Sequence, residues 1–126
     1  MSYSLAGLFA CVIFFVYPTS ISREFYLIET NINLSDYVLN FIRQIDTNIN
    51  CNPSMHVALS LIAALAITSE SKKQGILALV WFCLISYSTM ATKQHYFYDV
   101  LSGALLGLLF WFLNFYYIKN YRKPTN

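Results

Sequence analysis

Residues 98–118 read YDVLSGALLGLLFWFLNFYYI, twenty-one residues in which Asp99, near the start, is the one charge. A helix of that length rises about 30 Å at 1.5 Å per residue, the thickness of a bilayer's hydrocarbon core. Trp111, Tyr116 and Tyr117 fall towards its far end, where an interfacial aromatic belt belongs. The stretch is therefore expected to be a membrane-spanning helix.

Three more apolar runs precede it. The first is Leu5 to Tyr17, short for a span and ended by Pro18. The second starts at Pro53-Ser54 and reaches about Thr68, and the third runs from Gly75 to about Thr92. The composition agrees with lipid as the main solvent. Only 11% of residues are charged and 57% are apolar, against about 25% charged in soluble domains. The expected fold class is all-α: one membrane domain over residues 1–126, an integral helical bundle of about four transmembrane helices. Gly103 and Gly107 in the last run are expected to let helices of the same chain approach closely. The first run has no basic residue before it and no small-residue cleavage site after it, so it reads as a membrane helix rather than a signal peptide.

A polar stretch from Pro18 to Asn52 separates the first two runs. Within it Leu34, Tyr37, Val38, Phe41, Ile42 and Ile45 recur at spacings of three and four. That pattern predicts an amphipathic helix starting at a Ser35-Asp36 cap. It suits a helix lying on the membrane surface, and equally a lid packed over the bundle.

Basic residues set an expected orientation. Lys72 and Lys73 are expected to form the tight loop between the second and third runs, and Lys119, Arg122 and Lys123 follow the fourth. Four antiparallel spans put these five on one side and Arg23, Arg43 and Lys93 on the other. The five-residue side, with the C-terminus, should be cytoplasmic. The long polar stretch then faces the periplasm or an organelle lumen. A net charge of +2 gives no case for nucleic acid. The three cysteines show no disulfide or metal spacing.

The chain has two histidines, and both fall on that outward side. His56 follows Asn52-Pro53-Ser54-Met55 at the start of the second run. His95 lies in Ser88-Thr89-Met90-Ala91-Thr92-Lys93-Gln94-His95-Tyr96-Phe97-Tyr98-Asp99. Asp99 is four residues past His95, on the same face if the segment is helical. A histidine can attack phosphorus, most readily when a carboxylate fixes the tautomer that leaves the attacking nitrogen free. A second histidine can protonate the leaving alkoxide. Ser54, Thr89, Arg23, Lys93 and backbone N–H groups at the helix start can hold the phosphate oxygens. The competing bland reading is an interfacial histidine and an aspartate that merely caps a helix.

Pro53-Ser54-Met55-His56 resembles the Pro-Ser-Gly-His motif of the type 2 phosphatidic acid phosphatase superfamily. Ser88-Thr89, His95 and Asp99 resemble that family's third motif: Ser-Arg, five residues, His, three residues, Asp. The wording of this stretch looks closest to the branch containing inositol phosphorylceramide synthases. The resemblance covers roughly residues 14–118. It implies a membrane lipid phosphatase or phosphotransferase working through a phosphohistidine, with no metal or other cofactor. His95 would be the nucleophile, Asp99 its orienter and His56 the acid, with Ser54 on the phosphate. The implied substrates are lipid phosphates or polyprenyl pyrophosphates. The chain departs from the pattern in several places. Val16 and Glu24 stand where the first motif has Lys and Pro around Arg23. Thr89 replaces the third motif's Arg, leaving Lys93 as a substitute cation. Met55 replaces Gly and is expected to crowd the phosphate. Four runs stand where the family has six helices, which reads as an N-terminally short form. The alternative is accordingly a non-catalytic truncated relative, or a subunit joined to a membrane partner chain.

Overall fold

The structure is a computed structural model and describes residues 2–20, 33–45 and 51–121. Among the described residues it is all-helical, with five helices: α1 (Ser2–Val16), α2 (Leu34–Ile45), α3 (Met55–Glu70), α4 (Lys72–Ala91) and α5 (Phe97–Tyr121). The four apolar runs become α1, α3, α4 and α5, and the amphipathic segment becomes α2. Two of them, Lys72–Ala91 and Phe97–Tyr117, are long and apolar enough to cross a membrane, while α1 and α3 are shorter apolar helices. The expectation of four spans is thus met for two helices by length and composition.

The middle of the bundle is α3. It packs against α4, α5 and α1, and α1 also touches α5. Its sequence allows this, because Val57, Ala58, Leu61, Ile62 and Ala64 are all buried on a helix that is small or branched on most sides. Ala10, Ala58 and Leu106 form the core between α1, α3 and α5, with Phe14, Met55 and Phe110 packed around it. Gly103 and Gly107 are the reason α5 comes so near. A Cβ at 103 would collide with the Ser54 carbonyl, and one at 107 would lie 2.8 Å from the Ala58 carbonyl oxygen. The glycine pair therefore serves contact within this chain.

The bundle's outside is apolar. Ile76, Leu77, Trp81, Leu105, Phe112 and Leu113 are all more than half exposed, and only 17% of each spanning window is buried. A helix in the core of a water-soluble protein would be mostly covered. Apolar surface on this scale calls for an apolar environment, and together with the helix lengths it points to membrane association.

Two local expectations are corrected. Lys72 and Lys73 do not form a loop: they open α4, and Ser71 alone joins α3 to α4, ending one helix and preceding the other. The start of α2 lies two residues earlier than the Ser35-Asp36 cap. The Asn33 carbonyl accepts the N–H groups of Asp36 and Tyr37, and Asp36 Oδ2 accepts the Asn33 N–H at 3.2 Å. Asp36 acts as the returning acid of a capping box rather than as the cap itself. Among the described residues α2 makes no substantial contact with the apolar helices and leaves Leu34, Tyr37 and Phe41 exposed.

Candidate active site

The end of the bundle that carries the two motifs is built by three local devices. The first is the α3 start. Ser54 has extended backbone angles, and its Oγ accepts the Val57 N–H, the expected role for Ser at an N-cap. His56 follows in the first turn and is exposed.

The second device is the α4 end. Lys93 adopts a left-handed conformation, φ 60°. Its N–H donates to the Met90 carbonyl, and the Gln94 N–H donates to the Thr89 carbonyl. This is the paired bonding of a Schellman motif, which usually has Gly where Lys93 stands. The His95 N–H also donates to the Thr89 carbonyl, at 3.1 Å. The turn thereby swings His95 back over the bundle, where it is buried.

The third device is the α5 start. The Tyr96 carbonyl accepts the N–H groups of Asp99 and Val100, and the Tyr96 N–H donates to Asp99 Oδ2 at 2.7 Å. The carboxylate is buried, and the same oxygen lies 3.9 Å from His95 Nδ1. That separation is an ionic contact when the ring is protonated and too long for a hydrogen bond.

These devices bring the two imidazoles together. The ring centroids of His56 and His95 are 5.8 Å apart, with planes inclined at 63°. They lie at one end of the bundle, separated by about the breadth of a phosphate group, with Asp99 beside the Nδ1 of His95. An edge-on pair of imidazoles with a carboxylate next to one of them can donate and accept protons around a single small group.

The phosphate-binding candidates are arranged less uniformly. Ser54 is fully buried. Its N–H donates to the Asp99 carbonyl at 3.1 Å, which ties the two motifs together through the backbone. Thr89 is buried as well, and its hydroxyl donates to the Ser86 carbonyl at 2.9 Å, so its side chain is turned onto its own helix. Lys93 is exposed. Arg23 lies outside the described residues. Met55 does not crowd the histidines. Its side chain packs with the α1–α3–α5 core, and its Cε lies 3.8 Å from where a Cβ on Gly7 would sit. Residues 55 and 56 point about 100° apart on a helix, so Met55 turns to α1 while His56 turns to the site.

Two residues beside the site are not singled out by the sequence motifs. Ser102 Oγ is 2.9 Å from Asn52 Oδ1 and 3.0 Å from the Asp99 carbonyl oxygen. The Asn52 N–H donates to Thr19 Oγ1 at 2.9 Å. A polar residue directly before Pro-Ser, and a serine three past Asp99 in an apolar run, are the signals that could have pointed to them.

An apolar helical bundle bearing a facing histidine pair defines a class: a membrane-type helical protein with a polar site at one end. The family model described as the PAP2 superfamily matches residues 1–113. The chain belongs to that superfamily, the type 2 phosphatidic acid phosphatases. No curated protein and no solved structure matches it significantly.

Proposed function

We propose that this chain is a membrane phosphoester hydrolase or phosphotransferase that acts on a lipid phosphate through a phosphohistidine on His95. The 5.8 Å approach of the two imidazoles carries the reading, and membership in a superfamily of phosphatases and phosphotransferases supports the reaction class. Asp99 next to Nδ1 favours the tautomer with its proton there, leaving Nε2 as the nucleophile. In the first step the Nε2–P bond forms and the P–O bond to the lipid breaks. The departing alkoxide takes the proton of His56. In the second step water or an alcohol attacks phosphorus, the N–P bond breaks, and His56 takes the proton back. Water as acceptor makes a phosphatase, and an alcohol such as inositol makes a transferase.

Backbone N–H groups at the start of α3 suit the phosphate oxygens. The Ser54 hydroxyl keeps its own proton for donation, because the cap uses only the oxygen as acceptor. Lys93 and Arg23 complete the proposed phosphate set, with Lys93 as the cation nearest His95 in sequence, and Thr89 joins it only by releasing the Ser86 carbonyl. The site faces the periplasm or lumen by the distribution of basic residues, and the family resemblance makes lipid phosphates and polyprenyl pyrophosphates the first substrates to try.

The direct test is phosphate release by purified protein from short-chain phosphatidic acid and a polyprenyl pyrophosphate, without added metal. His95→Ala should abolish release. His56→Ala should slow it by about 10²- to 10⁴-fold, the usual worth of a general acid. A second reading is favoured by one observation: Thr89, where the family has Arg, spends its hydroxyl on the Ser86 carbonyl. It makes the chain a non-catalytic relative, the partner of another membrane chain. Wild type and His95→Ala equally inactive across the lipid panel would decide for it.

A further inference from the structure

We propose that Asn52 and Ser102 are positioning residues that set the spacing of the histidine pair, an inference that rests on the reading of that pair as catalytic. The two residues lie 50 apart in the chain and meet at 2.9 Å, Ser102 Oγ donating to Asn52 Oδ1. The same hydroxyl is 3.0 Å from the Asp99 carbonyl oxygen. Its single proton is shared between these acceptors or alternates between them. The Asp99 carbonyl also accepts the Ser54 N–H at 3.1 Å. On the far side, the Asn52 N–H donates to Thr19 Oγ1 at 2.9 Å, which reaches the chain just after α1.

These bonds join three elements at one level of the bundle: the exit from α1, the Asn52-Pro53-Ser54 loop and the first turns of α5. His56 is two residues beyond that loop, and His95 is four residues before Asp99. The lock is the side-chain connection between the segments that carry the two imidazoles, lying beside the backbone bond from the Ser54 N–H to the Asp99 carbonyl. It acts on the site end of the bundle alone. Further along, α3 and α5 are already held by the Ala58–Leu106 core and the seat of Gly107 on Ala58. Losing the Ser102 hydroxyl should leave that packing, the Ser54–Asp99 backbone bond and the seat of Gly103 on Ser54 in place, while freeing the Asn52 side of the loop to shift against the α5 start. A displacement of about 1 Å between reacting groups can cost about 100-fold in rate.

Ser102→Ala in the full chain, in detergent micelles, should lower kcat tenfold or more with KM little changed. Ser102→Thr, which keeps the hydroxyl, should restore most of kcat. Asn52→Ala should match Ser102→Ala, and the double variant should be no worse than either, because one interaction is removed in all three. A second measurement does not need turnover. The chain's two histidines give an unambiguous through-space correlation between their rings when histidine alone is isotopically labelled. The signal should be present in wild type and Ser102→Thr and lost in Ser102→Ala. Unchanged kcat and an unchanged correlation in Ser102→Ala would overturn the lock. So would equal losses in Ser102→Ala and Ser102→Thr, which would make the position a matter of packing. If wild type turns over no lipid phosphate and the correlation still depends on the Ser102 hydroxyl, the lock stands and the enzymatic reading fails. If wild type is active and its turnover is indifferent to Ser102, the enzymatic reading stands and the lock fails.

Discussion

The same backbone device starts two helices of this protein, and only one start lies beside a histidine. At α2 the Asn33 carbonyl opens the helix and Asp36 reaches back to the Asn33 N–H at 3.2 Å. At α5 the Tyr96 carbonyl opens the helix and Asp99 reaches back to the Tyr96 N–H at 2.7 Å. Locally the two aspartates have the same task. They differ in what surrounds them. Asp36 sits on a helix that packs against nothing substantial among the described residues, whereas Asp99 is buried beside His95 and offers its carbonyl to Ser54. A returning acid in a capping box is thus a structural feature wherever it occurs. Tertiary placement is what sets one of them beside an imidazole.

The largest expected effect separates these two roles at Asp99. Asp99→Asn keeps an oxygen for the Tyr96 N–H, and helix content by circular dichroism should stay near wild type. Phosphate release should nevertheless fall about 100-fold or more, since a neutral amide no longer sets a negative charge beside the His95 ring. Equal activity of the two forms would reduce Asp99 to a second Asp36. Next in size is Gly103→Ala. Its methyl would meet the Ser54 carbonyl, so α5 must move off α3, costing about 1–3 kcal/mol. The measurement is the midpoint of thermal unfolding in detergent, and activity should drop with it.

Lys93→Gly concerns the turn that feeds the α5 start. Glycine takes the left-handed conformation without the penalty of a side chain, so unfolding should become harder by about 1 kcal/mol or less. If Lys93 holds phosphate, KM should rise even as stability improves. Smallest is Asp36→Ala, which removes one returning acid at a solvent-facing helix start. It should cost about 0.5–1 kcal/mol of helix stability and leave phosphate release unchanged.

The parts of the site legible in the sequence are those fixed by short-range geometry. His95 and Asp99 are four residues apart, and a turn or a helix brings such residues near each other. Pro53-Ser54 announces a helix start, and the apolar runs give α1, α3, α4 and α5 because length and hydropathy carry that information directly. The meeting of His56 with His95 is inferable only through the topology of the spans. The Asn52–Ser102 contact is not, because nothing local links residues 50 apart. The direction of Met55 is hidden for a related reason. Its replacement of Gly suggests crowding, but the 100° step from Met55 to His56 carries the larger side chain into the α1–α3–α5 core. The partner of the Thr89 hydroxyl is equally illegible, since a threonine in a helix can donate to a preceding carbonyl or point elsewhere, and here it donates to Ser86.

One feature of the fold reaches further than its size suggests. Ser71 is the entire connection between α3 and α4, its N–H donating to Ile67 and its carbonyl accepting from Gly75. With no slack at that hinge, the two helices behave like the arms of a caliper, and their tips carry the imidazoles. Each residue added to one arm would shift its tip by about 1.5 Å and turn it by about 100°. Length variation in α3 or α4 should consequently part the two imidazoles, whereas the polar stretch between α1 and α3 lies outside the caliper's arms.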